Sequence, residues 1–182
     1  MNLFKRFVGH FHTVHQHRIM VRKLCFKCGL YWQGLVHDLS KYSFAEFWRG
    51  IKFYTEATSP HVKEREICGY SKAWLHHKGH NKHHPEYWQD IRPSGKSEPI
   101  EMPCKYFAEM ICDRVAASMI YLGDRYTDAA PFEYYLAHKD ESQMHAQTHE
   151  LLEAWLTKVK NIGVDETFDD LKEYIKTRRK NI

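Results

Sequence analysis

His37 and Asp38 stand side by side at the end of an apolar run, Gly34-Leu35-Val36-His37-Asp38-Leu39-Ser40-Lys41. Imidazole and carboxylate are good ligands for Zn, Mn and Fe. Adjacent side chains on a helix diverge by about 100°. Two neighbours therefore grip one ion only at a helix end or an irregular turn. The dipeptide alone says little, but His17 precedes it, and His76, His77, His83, His84 and Asp113 follow.

The second concentration is Trp74-Leu75-His76-His77-Lys78-Gly79-His80-Asn81-Lys82-His83-His84-Pro85. On a continuous helix, positions i and i+7 lie nearly above one another. That pairs His77 with His84 and His76 with His83. Protonated imidazoles so close repel; a divalent ion requires them neutral and removes the conflict. A solvated basic face with Lys78 and Lys82 is the plainer alternative. Asp113 lies in Phe107-Ala108-Glu109-Met110-Ile111-Cys112-Asp113-Arg114-Val115-Ala116. An acid amid Ala, Ile and Val needs a metal or a basic partner.

The order His17, His37-Asp38, His76/His77, His83/His84, Asp113 resembles the HD superfamily of metal-dependent phosphohydrolases. Lys41, three after the pair, and the interval of 29 residues from His84 to Asp113 are similar to features of the HD-GYP phosphodiesterases. The GYP signature is missing, so cyclic dinucleotide hydrolysis is not implied. Residues 29–43 and 73–79 together resemble an uncharacterised bacterial HD-like family found in Firmicutes, over nearly the whole chain.

The resemblance implies an all-α, HD-domain-like helical bundle. It implies a first metal held by His17, His37, Asp38 and Asp113, with Asp38 bridging to a second. His77 and His84 are the chosen ligands of the second ion, with His76 and His83 as the fallback pair. One or two divalent ions are expected, from among Mn, Zn, Fe and Mg. Such a pair lowers the pKa of a bridging water and neutralises a phosphoryl group. Asp38 and Lys41 are then the catalytic candidates, and Lys41, Arg114, His76 and His83 the candidates for holding substrate. The expected reaction is hydrolysis of a nucleotide or other small phosphate ester. The rivals are an HD-type diiron oxygenase, because histidine-rich sites suit iron, and a non-catalytic metal-binding sensor module.

Composition bounds these readings. The 182 residues are 43% hydrophobic and 27% charged, with a formal net charge of +4. This is the balance of one globular domain, 1–182, large enough to bury a core without staples. So mild a charge permits an anionic substrate without demanding nucleic acid. The five cysteines, an odd count with no secretory leader, fit reduced thiols in the cytoplasm. Cys25 and Cys28 read as core residues of a helical stripe. No stretch has the length of a membrane span. The expected partner is thus a small phosphorylated molecule, with neither membrane nor nucleic acid. There is no glycine-rich phosphate loop and no GxSxG elbow.

The elements that must position these groups all read as helices. Spacing predicts a short helix over Leu3–Phe11 and a second capped by Thr13 and stopped by Gly29. Leu30 to Leu39 reads as a third, ending at the His-Asp pair. Ser43 and Glu46 form a capping-box pattern before a fourth. Ser59-Pro60 and Ser71 begin two more, the latter running through the histidines to Pro85. Ile91 to Pro99 reads as a loop. Pro103 opens a long helix closed by Gly123, and Asp128 with Pro131 starts the next. Thr148–Ile162 and Thr167–Lys180 follow, divided by Gly163, with a basic end at Lys176, Arg178, Arg179 and Lys180. His61, His138, His145 and His149 read as surface residues.

Overall fold

The computed structural model describes residues 1–56, 58–141 and 143–179. Asn2 accepts from the Lys5 amide and starts α1 (Leu3–Lys27), one unbroken helix. The break expected at Thr13 is absent. Its hydroxyl donates to the Gly9 carbonyl four residues back, so it is satisfied within the helix instead of capping one. Helix α2 (Tyr31–Val36) is shorter than expected and gives way to a 3₁₀ turn, Leu39–Tyr42. Then come α3 (Phe44–Phe53), α4 (Pro60–Cys68) and α5 (Lys72–His80), the first and last capped by Ser43 and Ser71.

The expected loop contains a small hairpin instead. Strands β1 (Gln89–Ile91) and β2 (Ser97–Pro99) pair antiparallel, with Ile91 opposite Ser97. Three-residue strands are too short for alternation to show in a sequence. Helices α6 (Cys104–Leu122), α7 (Ala130–His138) and α8 (Ala146–Arg179) complete the chain. Asp128 accepts from Tyr126 and does not cap α7, which starts two residues later. At Gly163, φ is +83° and ψ 169°, a glycine conformation that bends α8 into the two expected limbs. Lys180 and the Arg179 side chain lie outside the described residues.

The fold is all-α apart from that hairpin. Its core lies where α1, α6 and α8 meet. Val21 and Leu24, Phe107 and Ile111, and Leu152, Leu156 and Phe168 close it. Each such side chain contributes about 1.5–3 kcal/mol by leaving water. Cys25, Cys28 and Cys112 belong to this core, as their apolar surroundings predict.

A second layer, α3 with α4 and α5, leans on the outer half of α1. There the buried His10 ring lies against Gly50, where a Cβ would stand 2.1 Å from Nε2. The site residues gather between these layers. No described helix is long and apolar enough to cross a membrane.

Candidate metal centre

The turn after α2 makes the His-Asp pair usable. Asp38 has φ +52° and ψ +27°, the one non-glycine residue at positive φ among those described. This left-handed residue breaks the helical divergence of neighbours and leaves His37 Nε2 3.4 Å from Asp38 Oδ2. Arg18 fixes the turn by donating from Nε to the His37 carbonyl (2.8 Å) and from Nη2 to that of Leu35 (3.2 Å). The 3₁₀ turn then returns Lys41 Nζ to within 2.6 Å of Asp38 Oδ2.

Two groups of ligand atoms share Asp38. The first is His17, His37, Asp38 and Asp113. His17 Nε2 lies 2.9 Å from Asp113 Oδ1 and 3.8 Å from Asp38 Oδ2, and His37 Nε2 lies 3.5 Å from Asp113 Oδ1. The second is Asp38, His77, His83 and His84. Nε2 of His77 and of His83 lie 3.4 and 3.5 Å from the other carboxylate oxygen, Oδ1, and His77 and His84 bring their Nε2 atoms to 2.9 Å. One oxygen of Asp38 thus faces each group. The i, i+7 argument reached the right pair by the wrong path. Helix α5 ends at His80, and His83 and His84 stand in the turn between Asn81 and Pro85.

Behind the ligands stand two carboxylates. His37 donates from Nδ1 to Glu109 Oε1 at 2.9 Å, and His83 Nδ1 lies 3.3 Å from the same oxygen. Glu46 divides its two oxygens between Nδ1 of His76 (2.7 Å) and Nδ1 of His77 (2.8 Å). A carboxylate holding Nδ1–H leaves Nε2 as a bare lone pair, the form in which imidazole binds metals. Asn81 donates from its amide to Ser40 Oγ (2.7 Å) and the His77 carbonyl (2.8 Å), tying α5 to the 3₁₀ turn.

The inward atoms, by contrast, lack partners. His17 Nε2, His37 Nε2, His83 Nε2 and both Asp38 oxygens are buried and complete no hydrogen bond among the described residues. The contacts to Asp113 and Lys41 are close enough for ionic attraction but misaligned for hydrogen bonding. Buried polar atoms without partners are costly. Five of them around one carboxylate fit a divalent cation.

Electrostatics agree. Burial alone would raise Asp38 and Asp113, yet nearby imidazoles, and Lys41 at Asp38, hold both well below the usual carboxylate range. Glu46 and Glu109 are likewise lowered, against burial, by the imidazoles they hold. Burial would depress His37, but Asp38, Asp113 and Glu109 outweigh it and raise its pKa to about 10. His17 and His84 are lowered, chiefly by burial. The centre is an anionic cage that draws positive charge.

The model of a family of unknown function, DUF5662, matches residues 6–158. The chain belongs to that family. The matched span holds both ligand groups, Glu46, Glu109 and Lys41, and leaves the second limb of α8 outside. A comparison with curated proteins finds no match, and a comparison with solved structures finds none.

Other expected site residues lie elsewhere. His83, expected beside substrate, is in the second ligand group, while its fallback partner His76 is turned to Glu46 and stacks on His80 at 4.0 Å. Only half of the fallback pair therefore reaches Asp38. Arg114 has its Nε buried without a hydrogen bond, and the acids acting on it are Asp113 and Glu86. His61 is not a surface residue. Its Nδ1 is enclosed, its ring lies 5.8 Å from that of His77, and burial lowers its pKa to about 3. His149 Nδ1 lies 3.3 Å from the Tyr135 hydroxyl. Glu46 and Glu109 were missed as site residues. Glu109 was within reach, since it precedes Asp113 by four in the same apolar helix.

Proposed function

We propose that this chain is a metal-dependent phosphohydrolase with a His/Asp centre bridged by Asp38, acting on a nucleotide or other small phosphate ester. The observation that carries the reading is the set of five partnerless buried atoms centred on Asp38, with Lys41 beside it. His17, His37, Asp38 and Asp113 would hold one divalent ion, and Asp38, His77, His83 and His84 a second. Such ions supply Lewis-acid polarisation and an activated water near neutral pH. The resemblance to the HD superfamily points the same way.

Around that centre the protein's own groups have distinct tasks. Glu109 and Glu46 keep the ring protons of His37 and His77 on Nδ1, so Nε2 faces inward. Lys41 offers the ammonium that would hold a non-bridging phosphoryl oxygen. The second ligand group, with three imidazoles and one carboxylate, also suits iron, which keeps a diiron oxygenase as the rival reading.

The experiment is metal analysis and a visible spectrum of protein purified without chelator, followed by a phosphate-ester panel with Mn, Zn, Mg or Fe. Metal-stimulated release of phosphate supports the hydrolase. Inertness on every ester, with O2-dependent turnover of a diiron form, selects the oxygenase. A protein that binds metal and turns over nothing is a sensor.

A further inference from the structure

The first 55 residues carry nine lysines and arginines against two acids, Asp38 and Glu46. Both acids are buried at the centre just described. This part of the surface therefore shows water no carboxylate. It shows large apolar groups instead: Leu3 is 67% exposed, Phe4 74% and Phe44 82%.

These groups are contiguous. Phe4, Phe7 and Phe11 recur along one side of α1. The Phe7 ring meets Phe47 edge-on at 5.6 Å, and Phe11 lies 6.1 Å from Tyr42. Trp48 joins Phe47 to Phe44, 6.3 Å from each. Half-exposed Leu39 stands in the same 3₁₀ turn as Tyr42. Exposed Lys5 and Lys52 accompany the strip, and the Arg18 guanidinium lies over the Tyr42 ring. Soluble monomers seldom leave so long an apolar strip uncovered.

We propose that this strip is a docking face for an anionic phospholipid bilayer, on which the protein lies without crossing it. Aromatic and aliphatic groups flanked by Lys and Arg match the headgroup boundary, where rings and chains sink and cations meet phosphates. A second copy fits poorly. A two-fold contact sets a face against itself, opposing Lys5 and Lys52 to their own likes with no carboxylate between. Single-stranded nucleic acid would stack on the rings but leave Leu3, Val8 and Leu39 without partners. The turn that brings Leu39 and Tyr42 to the strip also carries Asp38 and Lys41, so docking sets the metal centre beside the headgroup layer. The inference does not depend on what the centre catalyses.

The test is vesicle flotation of the full chain at low salt, with phosphatidylcholine alone and with phosphatidylserine added. Binding to a single-stranded RNA and sedimentation equilibrium are measured in parallel. The variants are Phe4→Ser/Phe44→Ser/Trp48→Ser and Lys5→Glu/Lys52→Glu, each checked for unchanged helicity and metal content. The parent should float with serine-containing vesicles and about tenfold less with neutral ones, and each variant should lose about tenfold. Should the aromatic variant misfold, the charge variant still decides. No flotation of the parent, or flotation that the variants leave intact, overturns the proposal. So does RNA binding, or a strip-dependent dimer, without vesicle binding.

Discussion

Lys41 Nζ lies 2.6 Å from Asp38 Oδ2, so an ammonium flanks the carboxylate shared by both ligand groups. Burial disfavours the charge on Lys41, but Asp38 and Asp113 more than offset this and raise its pKa. The lysine therefore stays protonated throughout the neutral range. It cannot be a metal ligand in that form, and it competes with a cation for Asp38.

Lys41→Ala should therefore keep or increase metal content, measured by elemental analysis. Turnover of whichever phosphate ester responds should fall about 10²–10³-fold, the usual cost of losing one charged stabiliser. Lys41→Arg should recover part of it. Unchanged kinetics in the alanine variant would leave Lys41 as a partner of Asp38 only.

The two outer carboxylates should separate the two ligand groups. Glu109 serves His37 of the first group and His83 of the second, whereas Glu46 serves His77 of the second. Removing such a partner commonly weakens metal binding about 10–100-fold. Titration with Mn or Zn should show both binding steps weakened in Glu109→Gln and only one in Glu46→Gln. Identical isotherms for the two variants would count against the division.

These carboxylates also mark what the sequence could and could not tell. Ser43 Oγ accepts from the Glu46 amide, as the capping-box pattern predicts, but the Glu46 carboxylate goes to α5. A cap is local and legible; where its acid reaches depends on how α3 meets α5. Asp38 was legible because an irregular turn after an apolar helix was the only way its neighbour could join it. His83 was placed on the wrong face because a nine-residue helix ending at His80 was read as running to Pro85. The all-α class was legible because burial in α1, α6 and α8 follows helical periodicity.

Away from the centre, Glu64 ties α4 to α5. It accepts from Ser71 Oγ (2.5 Å) and the Ala73 amide (3.3 Å), and Arg49 donates to its other oxygen at 2.5 Å. Burial would raise its pKa, but the bonds from Ser71 and Arg49 prevail and lower it. A folded-state pKa below the unfolded value gives stability that is full above the unfolded value and is lost as pH falls through the folded one. Glu64→Gln should thus lower the melting temperature at pH 7, by the equivalent of about 1–3 kcal/mol. The gap from the parent should narrow as pH drops below about 4. A gap independent of pH would show that shape, not charge, matters there.

The last prediction separates a metal site from a coincidence of histidines. Asp38 offers an oxygen to each group, so Asp38→Ala removes a ligand from both. Asp113 belongs to the first group alone, and exposed His138 bonds the Tyr134 carbonyl far from either. Metal content should fall most in Asp38→Ala, less in Asp113→Ala, and not in His138→Ala. A ligand that binds only the native state adds RT ln(1 + [L]/Kd), about 2.7 kcal/mol at a hundredfold excess over Kd. Chelator should therefore lower the melting temperature of the parent and His138→Ala, and barely move Asp38→Ala. Without metal the signs reverse: Asp38 is then a buried carboxylate with neither oxygen hydrogen-bonded, and its removal relieves that cost. Differential scanning of the four proteins, with and without chelator, reads both effects at once. Equal metal content in all four would falsify the site.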